Sequence, residues 1–242
     1  MTHDHRVALV TGANKGIGLE IARQLAEAGL SVFIGARNAE RGQQAANDLA
    51  ASGLKVAFVQ LDVTDATSIV DAAQHIAASH ERLDILVNNA GIADGADGPP
   101  EKASVAVVRH IMETNFIGQL AVTQAMLPLL RKSSAGRIVN LSSPLGSMAI
   151  AHDRTSPFYA YRLIGYNASK AALNMLTLQL AAELEGSAIT VNSVVPGFVR
   201  TDLTGHQGTM TPQEGARLPV QYALSEESIS GRFVAPEIEV PW

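Results

Sequence analysis

The sequence predicts an α/β fold: a doubly wound parallel sheet of about seven strands with helices on both faces. Two observations predict it. Short β-branched runs alternate with longer helical patterns, and each short run is apolar almost throughout, as in strands covered on both faces. No composition break divides the 242 residues, and no repeat exceeds the βα unit, so a single domain over 1–242 is expected. Functional residues of such sheets gather at the carboxyl ends of the strands.

The elements follow in order. RVALVT (6–11) reads as the first strand, and TGANKGIG (11–18) turns into the helical pattern GIGLEIARQLAEAG. SVFIGA (31–36) precedes ERGQQAANDLAASG, and KVAFVQL (55–61) precedes ATSIVDAAQHIAASH. Several helical patterns end in Gly, Ser or His, as helix stops do. LDILVNN (83–89) is the fourth strand, followed by a loop at GADGPP (95–100) and a long helical stretch over 101–132. GRIVNLSS (136–143), NASKAALNMLTLQLAAELEG, AITVNSVV (188–195) and GRFVA (231–235) complete the series. From Ala171 to Ala182 the helical run carries no charge, so burial on more than one side is expected, by the chain itself or by a second copy.

Composition narrows the function. Apolar residues make up 47% and charged residues 17%, the balance of a globular chain. The net charge of −5, without a lysine or arginine cluster, argues against a nucleic-acid partner. With no cysteine, disulfides, thiolate metal sites and a cysteine nucleophile are excluded, and no metal site is expected. MTHDHRVALV lacks a signal-like hydrophobic region and no run approaches membrane-spanning length, so a cytoplasmic protein is the expectation.

The glycine turn suggests a phosphate-bearing cofactor. Gly12, Gly16 and Gly18 let the backbone turn tightly where a helix N-terminus offers N–H groups and positive dipole. The spacing is GxxxGxG, not the GxGxxG of the general dinucleotide fingerprint. At the end of the second strand, GARN presents Arg37 where an NAD site places an acid, and Lys15 lies within the turn. Two cations converging on a ribose favour a 2′-phosphate, hence NADP(H) over NAD(H). The alternative is a solvated Arg37 with Glu40 as the acid.

FYAYRLIGYNASK (158–170) holds three of the four tyrosines, and only Tyr166 has a cation four residues on, Lys170. On a helix that spacing stacks both side chains on one face. TGANKGIG, LDVTD (61–65), NNAG (88–91), Asn115, VNLSS (139–143), YNASK (166–170) and PGFVRTD (196–202) occur together and in order. With these the chain resembles the short-chain dehydrogenase/reductase family over nearly its whole length. GANKGIG, GARN, PGFVRTDLTG and the terminal Trp look most like its carbonyl-reductase-type members.

The resemblance implies a Rossmann-like fold and hydride transfer between a nicotinamide and a carbonyl or alcohol. It implies a catalytic set of Asn115, Ser143, Tyr166 and Lys170, with Asn115 ordering a proton-relay water. It places Asn14, Lys15 and Ile17 with the three glycines at the cofactor, Asp62 and Val63 at the adenine, and Asn88, Ala90 and Gly91 along the cleft. Pro196, Gly197, Val199 and Thr201 would complete the binding set beside Tyr166 and Lys170. The chemistry agrees: a phenol has pKa about 10, and lowering it by three takes roughly 4 kcal/mol, which a nearby ammonium and the oxidised nicotinamide's charge would supply.

An insertion over 144–165 and a Gly/Pro-rich stretch over 200–220 with the character of a lid suggest a bulky apolar carbonyl substrate. Leu145, Met148, Phe158, Leu203 and Met210 are candidates to face it. An NADPH-dependent carbonyl reductase for ketones, aldehydes or quinones is the first expectation. A 3-oxoacyl thioester reductase is second, since Arg109, Arg131, Lys132, Arg154 and Arg162 are scattered in sequence. A non-catalytic NADP(H) sensor would be expected to lose the tyrosine or the lysine. Whether the chain is a monomer or a homo-oligomer is left open by its sequence.

Overall fold

Strand β1 (Val7–Thr11) shows why the chain layers as it does: Val7 and Leu9 enter one core, Ala8 and Val10 the other, and all are buried. A strand's side chains alternate across the sheet, so an unbroken apolar run demands cover on both sides. The structure, a computed structural model, describes residues 6–242; the first five residues of the MTHDHRVALV stretch read for a signal lie outside the described ones.

Helix α1 (Gly16–Glu27), β2 (Ser31–Ala36), α2 (Ala39–Ala51), β3 (Val56–Gln60), α3 (Ala66–Ser79) and β4 (Ile85–Asn88) follow the predicted alternation. Next come α4 (Val105–Met112), a π-helical turn (Glu113–Ile117) and α5 (Gly118–Leu130), where the sequence suggested one long helical stretch. Strand β5 (Gly136–Leu141), the short α6 (Met148–His152), α7 (Ile164–Glu183), β6 (Ile189–Val194), α8 (Pro212–Leu224), β7 (Phe233–Ala235) and β8 (Ile238–Glu239) complete the chain.

The sheet order is β3-β2-β1-β4-β5-β6-β7-β8. Strands β1 to β7 are parallel, with Ala8 opposite Ile85 in the central β1–β4 pair, and the chain reverses direction across the sheet at that pair. The ends of β1 and β4 therefore flank the switch point, where a crevice opens in such folds.

Among the described residues the sheet has eight strands rather than about seven. The extra strand, β8, is antiparallel to β7 and short, with both residues exposed, so no apolar run announced it. Strand β3 fully buries only Val59 and exposes Ala57 and Gln60, because it forms the sheet edge, where only one side needs strong cover. The second half of the 200–220 stretch is helix: α8 starts on a Thr211–Glu214 capping box and buries Gly215, Ala216, Pro219 and Val220. Helix α7 buries Leu173, Asn174, Thr177 and Leu180 on one side but leaves Met175 exposed, so this chain alone does not cover it all round.

Candidate active site

The two turns at the switch point are bonded to each other. Thr11 Oγ1 accepts from the N–H groups of Asn89 (3.0 Å) and Ala90 (2.9 Å), while Asn89 Nδ2 donates to the carbonyls of Thr11 (2.8 Å) and Gly12 (3.2 Å). The approach leaves no room for side chains. A Cβ on Gly12, whose φ is +63°, would lie 2.9 Å from the Ala90 Cα, and one on Gly18 would lie 2.4 Å from Asn89 Nδ2. Lys15 precedes α1 without a side-chain cap, and the first turn of α1 has no acid. The result is a bare, electropositive helix N-terminus above a glycine floor, suited to a pyrophosphate.

Thr201 closes the front of this cradle, its methyl 3.4 Å from where a Gly16 Cβ would sit. Arg37 is exposed just past β2, with Ala36 buried at the strand end and Asn38 turned back to cap α2. Lys15 does not share that end of the cleft as the sequence suggested. It is ion-paired with Asp202, which also meets His206 Nε2 at 2.9 Å. The lysine holds the Asp202 carboxyl below the usual carboxylate range, with His206 a smaller influence.

The other expected cofactor residues divide into two groups. Asp62 and Val63 follow β3, with Asp62 Oδ1 accepting from Thr64 N (2.9 Å) and Oγ1 (2.7 Å), and the Val63 carbonyl lies against Gly118. Ala90 and Gly91 follow β4 on the cleft side. Asn88 faces inward instead: its amide donates to Thr123 Oγ1 (2.9 Å) and Asn140 Oδ1 (2.8 Å), tying β4 to α5 and β5. Val199 is buried against Gly215, while Gly197, at φ +93°, lies under the Met210 sulfur.

Across the switch point stands α7. Tyr166 lies in its first turn and Lys170 one turn on, with Lys170 Nζ 5.7 Å from the phenol ring centre. Lys170 is only 5% exposed and donates to the Leu141 carbonyl at 2.8 Å. Its stem runs beside Gly146, where a Cβ would come within 2.7 Å of the Lys170 carbonyl carbon. Ser143, just past β5, accepts from Leu145 N at 3.2 Å, and its hydroxyl lies near enough to the Tyr166 phenol to lower its pKa.

Burial shifts the pair in opposite directions. The half-buried Tyr166 phenol is pushed up to about 12, chiefly by desolvation, with the Ser143 hydroxyl pulling it down. Lys170 is brought down to about 8 by desolvation. Instead of the expected lowering of the phenol by the ammonium, desolvation dominates both groups, because burial penalises phenolate and ammonium alike.

Asn115 sits, fully buried, in the π turn. Such turns recur at functional sites because the extra residue redirects one side chain. Here it faces the chain after β4: Asn115 Oδ1 accepts from Ile92 N (2.8 Å), and Nδ2 donates to Ile92 O (2.9 Å) and Ser169 Oγ (3.1 Å). Beside Gly91, Asn115 Oδ1 and Lys170 Nζ border one small space, 3.5 and 3.7 Å from where a Cβ would stand. Asn115, Ser143, Tyr166 and Lys170 thus converge from three separate parts of the chain.

The sequence matches the model of the family described as short chain dehydrogenase over residues 6–211. The chain belongs to the short-chain dehydrogenases. These oxidoreductases act on carbonyl or alcohol groups with a nicotinamide cofactor. Over 98% of this chain and 97% of the relative, it is 37% identical to the short-chain dehydrogenase anuI of Penicillium roqueforti. It is 35% identical to mouse carbonyl reductase [NADPH] 1 over the full length of both. The NADPH-bound carbonyl reductase of chicken fatty liver superposes with a TM-score of 0.86 at 30% identity, covering 99% of this chain and all of the other.

In this short-chain dehydrogenase the 144–165 segment forms a wall tied to the C-terminal residues. Ser147 caps α6 and donates to the Pro241 carbonyl, while Ala149 N donates to Trp242 O at 3.0 Å and Trp242 stacks on Phe233. Leu145, Ile150, Phe158 and Tyr161 line a small cleft of about 40 Å³ that Ser143 and Tyr166 do not reach. Met148 is 71% exposed, and Phe158 and Leu203 are also uncovered. Met210 is the exception among the expected substrate residues, since its sulfur packs over Gly197. Tyr159 precedes α7 and carries the Arg162 guanidinium 4.3 Å above its ring. Sequence reasoning missed Asp97, Asn89, Ser169 and Asp202 as site residues. Asn89, Ser169 and Asp202 lay within NNAG, YNASK and PGFVRTD, and Asp97 within the GADGPP loop, but each acts through a contact distant in sequence.

Among the described residues, no group of three or more His, Asp or Glu is placed to hold a metal ion, and no helix is long and apolar enough to cross a membrane.

Proposed function

We propose that this short-chain dehydrogenase is an NADPH-dependent carbonyl reductase for bulky, largely apolar aldehydes, ketones or quinones. The observation that carries the reading is Tyr166 standing one helical turn from buried Lys170, whose Nζ borders the space beside Gly91 together with Asn115 Oδ1, across the switch point from the glycine cradle. The cradle fits a dinucleotide, because the positions a Cβ would fill are glycines and the α1 N-terminus is uncapped by a side chain. Gly12, Asn14, Lys15, Gly16, Ile17 and Gly18 would hold the pyrophosphate side, with Asp62 and Val63 at the adenine. Ala90, Gly91, Pro196, Gly197, Val199 and Thr201 would line the remainder. Arg37 at a strand end without a carboxylate supports a ribose 2′-phosphate, as do the NADPH-named relatives. Lys15 would join it only by leaving Asp202.

When bound, the reduced nicotinamide supplies the hydride. Ser143 Oγ donates a hydrogen bond to the substrate oxygen and holds it toward Tyr166. The Tyr166 O–H breaks as its proton passes to that oxygen, leaving a phenolate. Lys170, as an ammonium, offsets the new charge, and Asn115 orders a water beside Lys170 that returns the proton. The Tyr166 shift to about 12 keeps the acid protonated throughout the neutral range.

The test is turnover of a carbonyl panel by purified protein with NADPH and with NADH. Oxidation of NADPH by aryl or quinone carbonyls ahead of small ketoacids is the expected result. Binding of NADPH without oxidation by any carbonyl would overturn the reading in favour of a sensor, and faster turnover of ketoacids would overturn the substrate class.

A further inference from the structure

Helix α7 begins without a cap of its own. Leu163 stands at its N-cap position and has no side chain that can accept a hydrogen bond. A helix leaves its first N–H groups unanswered, and an apolar residue there leaves them to water or to another part of the chain. Here the loop after β4 answers them. Gly98 O accepts from Ile164 N at 3.0 Å, and the Asp97 carboxylate accepts from Gly165 N (3.0 Å, Oδ1) and Tyr166 N (2.9 Å, Oδ2). The same Oδ1 also accepts from Gly98 N at 2.9 Å, which fixes the carboxylate within its own loop.

The fit is close. Gly165 is buried, and a Cβ on it would fall 3.2 Å from both Asp97 oxygens and 2.9 Å from Ile111 Cδ1. The other end of the Tyr166 peptide is also held, because its carbonyl accepts from Ser169 Oγ at 2.7 Å and that oxygen accepts from Asn115 Nδ2. Asn115 in turn holds Ile92, five residues before Asp97. The contacts form a closed circuit from Asn115 through Ile92 and Asp97 to Tyr166, and back through Ser169.

We propose that Asp97 is a positioning residue for the acid of the proposed reduction: it fastens the β4 loop to the Tyr166 amide and so sets where the phenol stands relative to the Asn115 side of the site. The proposal rests on the reductase reading for its kinetic consequence, although the clamp itself does not. Asp97 acts through the backbone and touches neither the phenol nor Lys170. An error of about 1 Å in placing a reacting group can cost on the order of a hundredfold in rate.

The test compares Asp97→Ala, Asp97→Asn and Asp97→Ala with Leu163→Ser in the full chain. Asp97→Ala should lower kcat for carbonyl reduction roughly 10- to 100-fold, leave NADPH affinity within about twofold, and speed amide hydrogen exchange at Gly165 and Tyr166. Asp97→Asn keeps one acceptor oxygen and should return kcat to within about fivefold. Leu163→Ser supplies a local cap, so in the double variant it should restore melting temperature while kcat stays low. A kcat within about twofold of the parent in Asp97→Ala, or a kcat restored together with stability by Leu163→Ser, would reduce Asp97 to an ordinary helix cap. Should Asp97→Ala not fold, the re-capped Asp97→Ala with Leu163→Ser decides alone: a kcat lowered at least tenfold at unchanged NADPH affinity supports the role, and a kcat within about twofold of the parent overturns it. If the parent protein reduces no carbonyl, the reductase reading fails separately. The exchange rates at Gly165 and Tyr166 then decide the clamp, with unchanged rates refuting it.

Discussion

The glycine cradle and the wall formed by the 144–165 segment are built on opposite plans. The cradle is backbone held by backbone-directed side chains: Thr11 and Asn89 bond the two turns, and glycines fill every close approach. The wall is a five-residue helix held by the C-terminal residues, with Met148, Phe158 and Leu203 uncovered. A surface of peptide groups can recognise only what every dinucleotide shares, and it tolerates almost no substitution. Exposed side chains on a short element can change at little cost to stability, so the proposed reductase would vary its choice of substrate there.

Four measurements sharpen or break this division. The largest effect belongs to the acid between the two regions. Tyr166→Phe should lower turnover by about a thousandfold, within the range for general acids, while fluorescence titration finds NADPH affinity nearly unchanged. Substantial residual turnover would mean another proton donor. On the cradle side, Arg37→Asp should weaken NADPH roughly 30-fold or more and NADH only slightly, as the loss of a charge-assisted phosphate contact predicts. Equal losses for both cofactors would undo the assignment to a 2′-phosphate.

The pH profile comes next. Lys170 ionises at about 8 in this site and Tyr166 at about 12. The acid form of tyrosine is therefore present throughout, while the lysine charge is lost as pH rises through 8. The expected kcat/KM for reduction is flat below that point and falls up to about tenfold per pH unit above it. A plateau running to pH 10 would mean that the ammonium is not needed. The smallest effect is on the wall: Phe158→Ala should raise KM for an aryl ketone about two- to fivefold, with NADPH affinity and melting temperature unchanged. A comparable loss of NADPH affinity would show that wall and cradle are not separable.

What could be read in advance follows the same division. All seven parallel strands fall within the expected runs, because double-sided burial writes itself as unbroken apolar sequence. The run at 136–143 overshoots its strand, since Ser142 and Ser143 leave the ladder to approach α7. The glycine turn, Tyr166 and Lys170 were legible because their spacing along one turn or one helix carries their geometry. The engagement of Lys15 by Asp202, the capping of α7 by Asp97 and the inward aim of Asn88 were not, because each depends on a partner brought close only by folding. The upward shift of Tyr166 escaped for the same reason, since helical spacing gives the lysine's direction but not the dryness of the space between.

The π turn at Glu113–Ile117 makes the following helix a register-dependent object. Trimming one residue there to give a plain α-helix would rotate everything downstream by about 100°. Gln119, Val122, Thr123 and Met126, now interior, would swing toward water, and Asn115 would lose its aim at Ile92. A lineage of this chain would therefore accept length changes in the 144–163 segment far more readily than a single-codon loss between β4 and β5.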